Sequence, residues 1–201
     1  VKSFIFSSSA AVYGNPKYLP IDEKHATNPI NYYGFTKLFI EKQLKWLSDL
    51  KGINVAFLRY FNASGYDICG RVTKKEKEPQ NLLPVVMEVA CGDREKMSVF
   101  GNDYDTNDGT CLRDYIHVND LALGHVKAVE ALQNTNKIIT NLATGISHSV
   151  IEVIEETKKI TGKDIKFDIV DRRPGDPDKL YASSNNILKY VNKYSDLHTI
   201  I

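Results

Sequence analysis

The feature that most constrains this chain is a helical segment lying between two short apolar segments near its start. Large apolar side chains crowd into Val1-Lys-Ser-Phe-Ile-Phe-Ser7 and again into Asn54-Val-Ala-Phe-Leu-Arg-Tyr60. Between them, apolar residues recur at helical spacing from Phe35 to Leu47, and Gly52 stands where a helix-ending glycine is expected. Two buried strands joined by a helix form a crossover unit, which predicts an α/β fold with a parallel sheet.

Further elements are predicted downstream, without a repeat or a linker of distinct composition. Helical patterns cover Leu82 to Ala90 and roughly Asn119 to Leu132. Ser149 and Glu152 form a capping box that opens another helix, which ends at Gly162. Short strands are predicted at Met97–Phe100, Ile138–Leu142 and Ile165–Val170.

Composition excludes several classes of protein. The 201 residues carry 26 basic and 25 acidic side chains, so bulk charge does not favour binding of nucleic acid. No apolar run approaches the roughly 20 residues that span a bilayer, so no membrane partner is expected. The 3 cysteines and 5 histidines are not spaced as a disulfide framework or a metal site. We therefore expect a cytoplasmic protein that needs no metal.

One pair of side chains points to proton transfer. Tyr33 and Lys37 lie four residues apart in the predicted helix, which puts them on one face with Cβ atoms about 5–6 Å apart. An ammonium beside a phenol stabilises the phenolate, and a phenol that can lose its proton is a general base. Taken alone, this pair is more often a surface aromatic with a neighbouring charge.

The serines after the first strand make a catalytic interpretation of this pair more favourable. Open α/β sheets bind ligands at the carboxyl ends of their strands, and Ser7-Ser-Ser9 stands at such an end. By themselves these serines fit a turn with local hydrogen bonds. Together with the Tyr33 helix they indicate a site for proton and hydride transfer.

The chain resembles the UDP-glucose 4-epimerases, which are extended short-chain dehydrogenase/reductases. Six motifs carry the resemblance, in order and over nearly the whole chain: Ser7-Ser-Ser-Ala-Ala-Val-Tyr-Gly14, Tyr33-Gly-Phe-Thr-Lys37, Leu58-Arg-Tyr-Phe-Asn62, Val99-Phe-Gly-Asn-Asp-Tyr104, Asp108-Gly-Thr-Cys-Leu-Arg-Asp-Tyr-Ile-His-Val118 and Arg172-Arg-Pro-Gly-Asp176. It implies a partial Rossmann-like parallel sheet with a smaller α/β substrate-binding domain, and a role in galactose metabolism. Residues 1–62 would be the C-terminal part of the NAD-binding domain, carrying the catalytic residues. Residues 63–201 would be mainly the UDP-sugar-binding domain, with some segments returning to the Rossmann domain.

The resemblance also implies roles for individual side chains in these motifs. Ser9 matches the catalytic serine, Tyr33 the base that takes the proton of the sugar 4-hydroxyl, and Lys37 the residue that holds the nicotinamide ribose and stabilises the phenolate. The expected cofactor is NAD, contacted by Ser7, Tyr33, Lys37, Tyr60 and Phe61. The expected partners are UDP-glucose or UDP-galactose and, in the full-length enzyme, a second copy in a homodimer.

A second set of residues is assigned to the UDP-sugar by the same resemblance. Besides Ser9, it comprises Asn62, Asn81, Leu82, Phe100, Arg113, Arg173, Asp176 and Leu180. The two arginines also make chemical sense, because a guanidinium binds phosphate oxygens in a bidentate manner. Each arginine alone would fit an ion pair with Asp114, Asp171 or Asp176, and Asn81 fits a helix N-cap.

Other readings of the same scaffold remain open. The alternatives include another sugar-nucleotide enzyme of the same group, such as a dehydratase or a decarboxylase. Dehydratases of this group carry an acidic pair after the catalytic Ser/Thr, whereas Ala10 and Ala11 follow Ser9 here. Leu180 matches a position that admits or excludes an N-acetyl group, so UDP-GlcNAc 4-epimerisation is an alternative. A non-enzymatic remnant that keeps only the UDP-sugar pocket is another.

The glycine-rich G-x-G-x-x-G turn of dinucleotide-binding folds is absent from the sequence. Relative to the family, the chain lacks the leading half of the sheet and ends where a final helix is expected to begin. We therefore expect a fragment. By itself it should bind little NAD and tend to aggregate, because the missing strands would leave an apolar sheet edge exposed.

Isothermal titration of the isolated 201-residue chain with NAD tests this expectation. We expect only weak heat and no saturation, because half of the dinucleotide site is missing. Tight one-to-one binding would contradict it.

Overall fold

A computed structural model of the protein describes residues 1–74, 76–183 and 195–201. A parallel sheet of three strands in the order β1-β2-β6 forms its first layer, with β1 at Ser3–Ser9, β2 at Asn54–Tyr60 and β6 at Lys137–Leu142. Helix α1, Tyr32–Lys51, connects β1 to β2. The predicted crossover unit and the α/β fold are therefore confirmed.

The ends of the three strands share one edge of the sheet. Ser9 pairs with Tyr60, and Tyr60 pairs with Leu142, so all three strands finish at the same level. The first strand begins and ends two residues later than its apolar pattern predicted, because the polar Ser8 and Ser9 still pair with β2. The serines thus belong to the strand itself.

The remaining strands form two smaller sheets. One contains β3, β5, β7 and β9, and the other pairs β4 with β8 in parallel. Their bounds are Asn62–Ser64 for β3, Met97–Phe100 for β4, Leu112–His117 for β5, Ser147–Ser149 for β7, Phe167–Val170 for β8 and Lys179–Leu180 for β9. The members of the first of these sheets carry many polar residues, and the hydrophobic pattern did not predict them.

Four further helices complete the described fold. They are α2 at Leu82–Cys91, α3 at Val118–Ala131, α4 at Val150–Thr161 and α5 at Leu197–Ile200. The capping box of Ser149 and Glu152 opens α4, and Gly162 ends it in the left-handed conformation, as predicted. None of the helices in the described ranges is long and apolar enough to cross a membrane.

Four buried apolar clusters lie in the described part of the chain, and two of them show how helices pack on the sheets. One packs α3 against the three-stranded sheet through Leu58, Leu121 and Leu142. The other joins α2 and α4 to β4 through Val86, Ile154 and Val99. Strand β6 lies far along the chain but completes the first sheet, so both halves of the sequence contribute to it.

A buried polar cluster fastens α1 to the sheet. Arg59 of β2 binds Glu41 of α1 through two hydrogen bonds, Nε to Oε1 at 3.0 Å and Nη2 to Oε2 at 2.7 Å. The hydroxyl of Ser8 donates to Glu41 Oε1 at 2.5 Å. Arg59 Nη1 also donates to the hydroxyl of Tyr13 at 3.0 Å, and that hydroxyl donates to Asn141 Oδ1 at 2.6 Å. All five side chains thus have partners within one cluster that spans β1, α1, β2 and β6.

Replacing Glu41 by Gln should lower the free energy of unfolding by about 3–5 kcal/mol, because it leaves a buried guanidinium without its counter-ion. Urea denaturation of the intact protein measures the loss. The control is Glu130→Gln, which breaks the pair of Glu130 with Lys127 on the exposed face of α3 and should cost about 1 kcal/mol or less. Equal losses from the two substitutions would contradict a structural role for the cluster.

Candidate active site

The carboxyl end of β1 turns sharply at Ser9. Its side chain accepts a hydrogen bond from the backbone N–H of Ala11 at 3.2 Å and so caps a short 3₁₀ turn, Ala10–Val12. Ser9 is half-buried, while Ser8, whose side chain points to the opposite face of the strand, is fully buried. The strand alternation therefore aims Ser8 at Glu41 and leaves Ser9 at the open edge.

The first turn of α1 lies against this edge. Lys37 donates from Nζ to the backbone carbonyl oxygen of Ser7 at 2.9 Å, and the same Nζ lies 5.5 Å from the centroid of the Tyr33 ring. Tyr33 itself is 55% exposed. Lys37 thus connects the turn that carries Tyr33 to the strand that carries Ser7 and Ser9.

Gly34 lets the helix come this close. A Cβ atom built on Gly34 would lie 2.3 Å from the carbonyl oxygen of Ala11 and 3.0 Å from Cβ of Pro29. The helix start is fixed by Asn31, whose side chain accepts from the backbone N–H of Gly34 at 2.8 Å. Glycine at this position is therefore required by the contact between α1 and the turn after Ser9.

A cavity of about 200 Å³ opens beside Ser9, and we call it the Ser9 cavity. The predicted site residues that line it are Ser9, Tyr60, Phe61, Asn62, Arg113, Asp176 and Leu180. A second cavity, of about 300 Å³, is called the Phe100 cavity. Its predicted members are Asn62, Asn81, Leu82, Phe100, Arg113, Arg173 and Asp176.

The two cavities share three of their lining residues, Asn62, Arg113 and Asp176. They therefore adjoin across these side chains, and we call the pair of cavities the groove, with Ser9 and Leu180 at one end and Phe100 with Arg173 at the other. Ser7, Tyr33 and Lys37 do not line either cavity. Ser7 hydrogen-bonds to Tyr60, which lines the Ser9 cavity, and Lys37 contacts Ser7.

Cationic groups stand at the junction and at the far end of this groove. Arg113 is buried and forms an ion pair with Asp176, while its Nη1 donates to the carbonyl of Leu112 at 2.8 Å. The guanidinium of Arg173 lies over the Phe100 ring, 4.2 Å from its centroid. An aromatic face and two guanidinium groups in one groove suit a planar base followed by a diphosphate.

The two asparagines are placed differently. Asn62 donates from Nδ2 to the carbonyl of Asp114 at 2.8 Å, which fixes its amide at the junction of the cavities. Asn81 occupies the N-cap position of α2, yet its side chain makes no capping hydrogen bond. Its amide is therefore available to the groove.

The edge of the sheet also offers groups for a cofactor. The hydroxyl oxygens of Ser7 and Tyr60 lie 2.8 Å apart, and burial raises the pKa of Tyr60, an effect that the bond to Ser7 partly offsets. Exposed hydroxyls and an ammonium group at the carboxyl ends of parallel strands match the polar groups of a dinucleotide, its ribose hydroxyls above all. The donor set thus fits the polar groups of NAD.

Sequence reasoning missed several residues of the groove. Tyr115 of β5 and Gln80 line the Phe100 cavity, and Asn31 and Gly175 line the Ser9 cavity. It also missed Glu41, although Tyr33, Lys37 and Glu41 recur every four residues on one face of α1. That spacing is the signal that could have found it.

Comparison with known proteins shows which family and which structures the chain is similar to. The model of the NAD dependent epimerase/dehydratase family matches residues 1–143. The chain is 45% identical over its whole length to a UDP-glucose 4-epimerase of Halalkalibacterium halodurans, and 47% identical over 91% of its length to one of Homo sapiens. It spans 61% and 54% of these two relatives. The whole chain also superposes, with a TM-score of 0.93 and 41% identity, on 61% of the crystal structure of UDP-glucose 4-epimerase from Bifidobacterium longum in complex with NAD+ and UDP.

The close approach at Gly34 generates a prediction about the Ser9 turn. Gly34→Ala should push α1 away from Ala11 and raise amide hydrogen exchange in residues 10–13 by about tenfold or more, since the added Cβ has no room. Hydrogen exchange followed by mass spectrometry or NMR measures the change.

The matched control lies at the other end of the same helix. Gly52→Ala places its Cβ in open space, so its left-handed backbone costs about 1–2 kcal/mol of stability but leaves exchange in the Ser9 turn unchanged. Unchanged exchange in Gly34→Ala as well would show that α1 and the turn are not coupled.

Proposed function

The chain belongs to the NAD dependent epimerase/dehydratase family, and from that premise we propose that the protein containing it interconverts UDP-glucose and UDP-galactose at C4 of the hexose, using NAD. The observation that carries this proposal is the groove formed by the two adjoining cavities. It runs from the strand edge with Ser9 to the aromatic and cationic end with Phe100 and Arg173. A nucleoside diphosphate sugar has the same order of chemical parts.

In this proposal the Phe100 cavity holds the nucleotide. Phe100 and Leu82 give the uracil an apolar contact, and Asn81 supplies an unused amide. Arg113 and Arg173 bind the diphosphate, while Asp176 accepts from ribose hydroxyls. The ion pair of Arg113 with Asp176 holds both side chains at the junction before the substrate arrives.

The hexose then lies in the Ser9 cavity, bounded by Leu180 and Phe61. Tyr33 takes the proton of the 4-hydroxyl, and Ser9 hydrogen-bonds the same oxygen. NAD, when bound, accepts the C4 hydrogen as hydride and later returns it. Lys37 stabilises the phenolate of Tyr33 before the proton is transferred to it, and it also reaches the nicotinamide ribose.

Epimerisation requires that hydride leaves one face of C4 and returns to the opposite face. The 4-keto sugar must rotate in the Ser9 cavity while Arg113 and Arg173 keep the diphosphate fixed. Proton return from Tyr33 to the C4 oxygen, with hydride addition at the opposite face, gives the epimer and balances the reaction. The residues of this chain thus supply position and protons, and no net oxidation occurs.

A dehydratase is less well supported by the same cavity. Elimination of water needs a carboxyl group as acid next to the catalytic serine, and Ala10 and Ala11 occupy that position. Among the described residues that line the Ser9 cavity, the only carboxylate belongs to Asp176, and it is paired with Arg113.

An acetylated substrate is the second candidate. Leu180 lines the Ser9 cavity and is of intermediate bulk, so the space near the sugar does not by itself exclude an N-acetyl group. Assays of the intact protein with UDP-GlcNAc beside UDP-galactose distinguish the two substrate classes.

We also propose that the protein acts as a homodimer in the cytoplasm. Large apolar side chains on α1 are exposed, including Phe35, Phe39 and Trp46, and a second copy would cover them. The three cysteines are free thiols, which a reducing compartment maintains.

Tyr33→Phe in the intact protein should lower turnover of UDP-galactose by roughly 10²–10⁴-fold, because it removes the phenolate oxygen that accepts the sugar proton. Binding of UDP should be unchanged, since Tyr33 lies outside the Phe100 cavity. Steady-state kinetics and UDP titration measure the two effects.

The control is Tyr32→Phe, the same change one residue earlier on α1, where the side chain is 81% exposed. It should keep turnover within about twofold, as expected for a solvent-exposed substitution. Near-normal turnover of the Tyr33 variant would remove Tyr33 from the mechanism.

A further inference from the structure

His125 lies beside the carboxyl edge of the sheet and has no part in the reaction described above. It belongs to α3, and its ring packs against that of Tyr60, with ring centroids 5.6 Å apart and planes 68° apart. Its Nε2 lies 2.5 Å from the hydroxyl oxygen of Tyr60, and its Nδ1 lies 2.8 Å from the carbonyl oxygen of Leu121. With the bond of Tyr60 to Ser7, these contacts form a continuous series of hydrogen bonds.

The donor and the acceptor of each hydrogen bond in this series follow from the chemistry of the groups. A carbonyl oxygen can only accept, so Nδ1 of His125 must donate to Leu121. In the neutral imidazole the proton is then on Nδ1, and Nε2 is left as an acceptor. The hydroxyl of Tyr60 stays protonated, because burial raises its pKa, and it donates to Nε2.

The direction of the hydrogen bond between Tyr60 and His125 determines the direction of the hydrogen bond between Tyr60 and Ser7. Once the Tyr60 proton is used on His125, the Tyr60 oxygen can only accept, and the Ser7 hydroxyl is its donor. Ser7 Oγ is then left with lone pairs and no spare proton. Ser7 is exposed at the strand edge, and Lys37 holds its backbone carbonyl, so this oxygen is a fixed acceptor that faces open space.

We propose that His125 is a positioning residue of the cofactor site, which acts through Tyr60 to make Ser7 Oγ accept a hydrogen bond from an N–H or O–H group of NAD. This inference rests on the proposed function, since it takes NAD as the ligand. In the nicotinamide half of NAD, two parts carry such donors, the carboxamide and the ribose hydroxyls. A carbonyl or carboxylate oxygen would be disfavoured at the same place, because no proton is available for it.

The tautomer of His125 gives the first test, in the intact protein without ligand. ¹⁵N NMR of protein labelled on histidine should show the proton of His125 on Nδ1. Two other rings serve as internal references. His25 should show the same tautomer, because its Nε2 accepts from Lys17 N–H at 2.9 Å. His117 should show the opposite one, because its Nδ1 accepts from Asn119 N–H at 3.1 Å. A proton on Nε2 of His125 would overturn the proposal.

Substitution of His125 gives the second test, by titration of the intact protein with NAD and no sugar nucleotide. His125→Phe keeps a ring but removes the acceptor, so Tyr60 can donate to Ser7 instead and Ser7 Oγ is no longer fixed as an acceptor. NAD binding should therefore weaken roughly tenfold. His125→Gln offers an amide oxygen to Tyr60 and should restore affinity to within about threefold. Equal effects of the two variants would indicate a purely structural role.

His148→Phe makes the same change at a half-buried histidine of β7 and should leave NAD affinity unchanged. If His125→Phe does not fold, the tautomer of the unsubstituted protein still decides the question. The NAD analogue with a carboxylate in place of the carboxamide distinguishes the donors. If the carboxamide is the donor, His125→Phe should reduce discrimination between NAD and the analogue. If a ribose hydroxyl is the donor, the tenfold loss should affect both ligands alike.

Turnover of UDP-galactose is measured separately on the same protein. Tight NAD binding with the expected tautomer and variant effects, but without turnover, would refute the proposed function and leave this inference standing. Turnover with a wrong tautomer or an unaffected His125→Phe variant would refute the inference alone. Failure to bind NAD at all would refute both.

Discussion

The buried ion pair of Arg59 with Glu41 is the interaction on which the arrangement of the site depends. Glu41 lies one turn beyond Lys37 and two turns beyond Tyr33 on the same face of α1, and Arg59 is the penultimate residue of β2. Because both partners are buried, the pair cannot exchange its bonds for water, so α1 has one favourable position against the sheet. Ser8 joins the pair from the strand position next to Ser9. The pair therefore fixes the position of the helix turn that carries Tyr33 relative to the strand end that carries Ser9.

The sequence was sufficient for the elements whose stability comes from local pattern. The parallel crossover, the helix stop at Gly52 and the capping box at Ser149 follow from periodicity, a left-handed glycine and a side-chain cap, and the structure has each of them. Strand β5 could not be found in this way, because its buried Arg113 and Asp114 satisfy their polarity through partners distant in sequence. Asp114 accepts hydrogen bonds from Thr144 and Gly145, which no hydrophobic pattern encodes.

The residues of the groove, too, could be predicted only in part from local sequence pattern. The spacing of Tyr33 and Lys37 on a helix could be read directly, and so could a serine at a strand end. Arg113 and Asp176 form an ion pair although they lie 63 positions apart in the sequence. Only the order of motifs shared with a family placed both of them in one site before the structure was known. What the sequence could not give is the geometry between elements, such as the absence of a capping bond at Asn81, the stacking of Arg173 on Phe100 and the contact of Tyr60 with His125.

In the proposed reaction, the protein removes the C4 hydrogen of the sugar as hydride and restores the same hydrogen to the opposite face. The most direct measurement follows a deuterium label at C4 of UDP-galactose through conversion by the intact protein in ordinary water, with mass spectrometry of the product. If the account is correct, the UDP-glucose formed keeps the deuterium at C4, because a hydride held within the active site does not exchange with solvent. Loss of the label to water would contradict it, since exchange would indicate that the C4 hydrogen leaves as a proton.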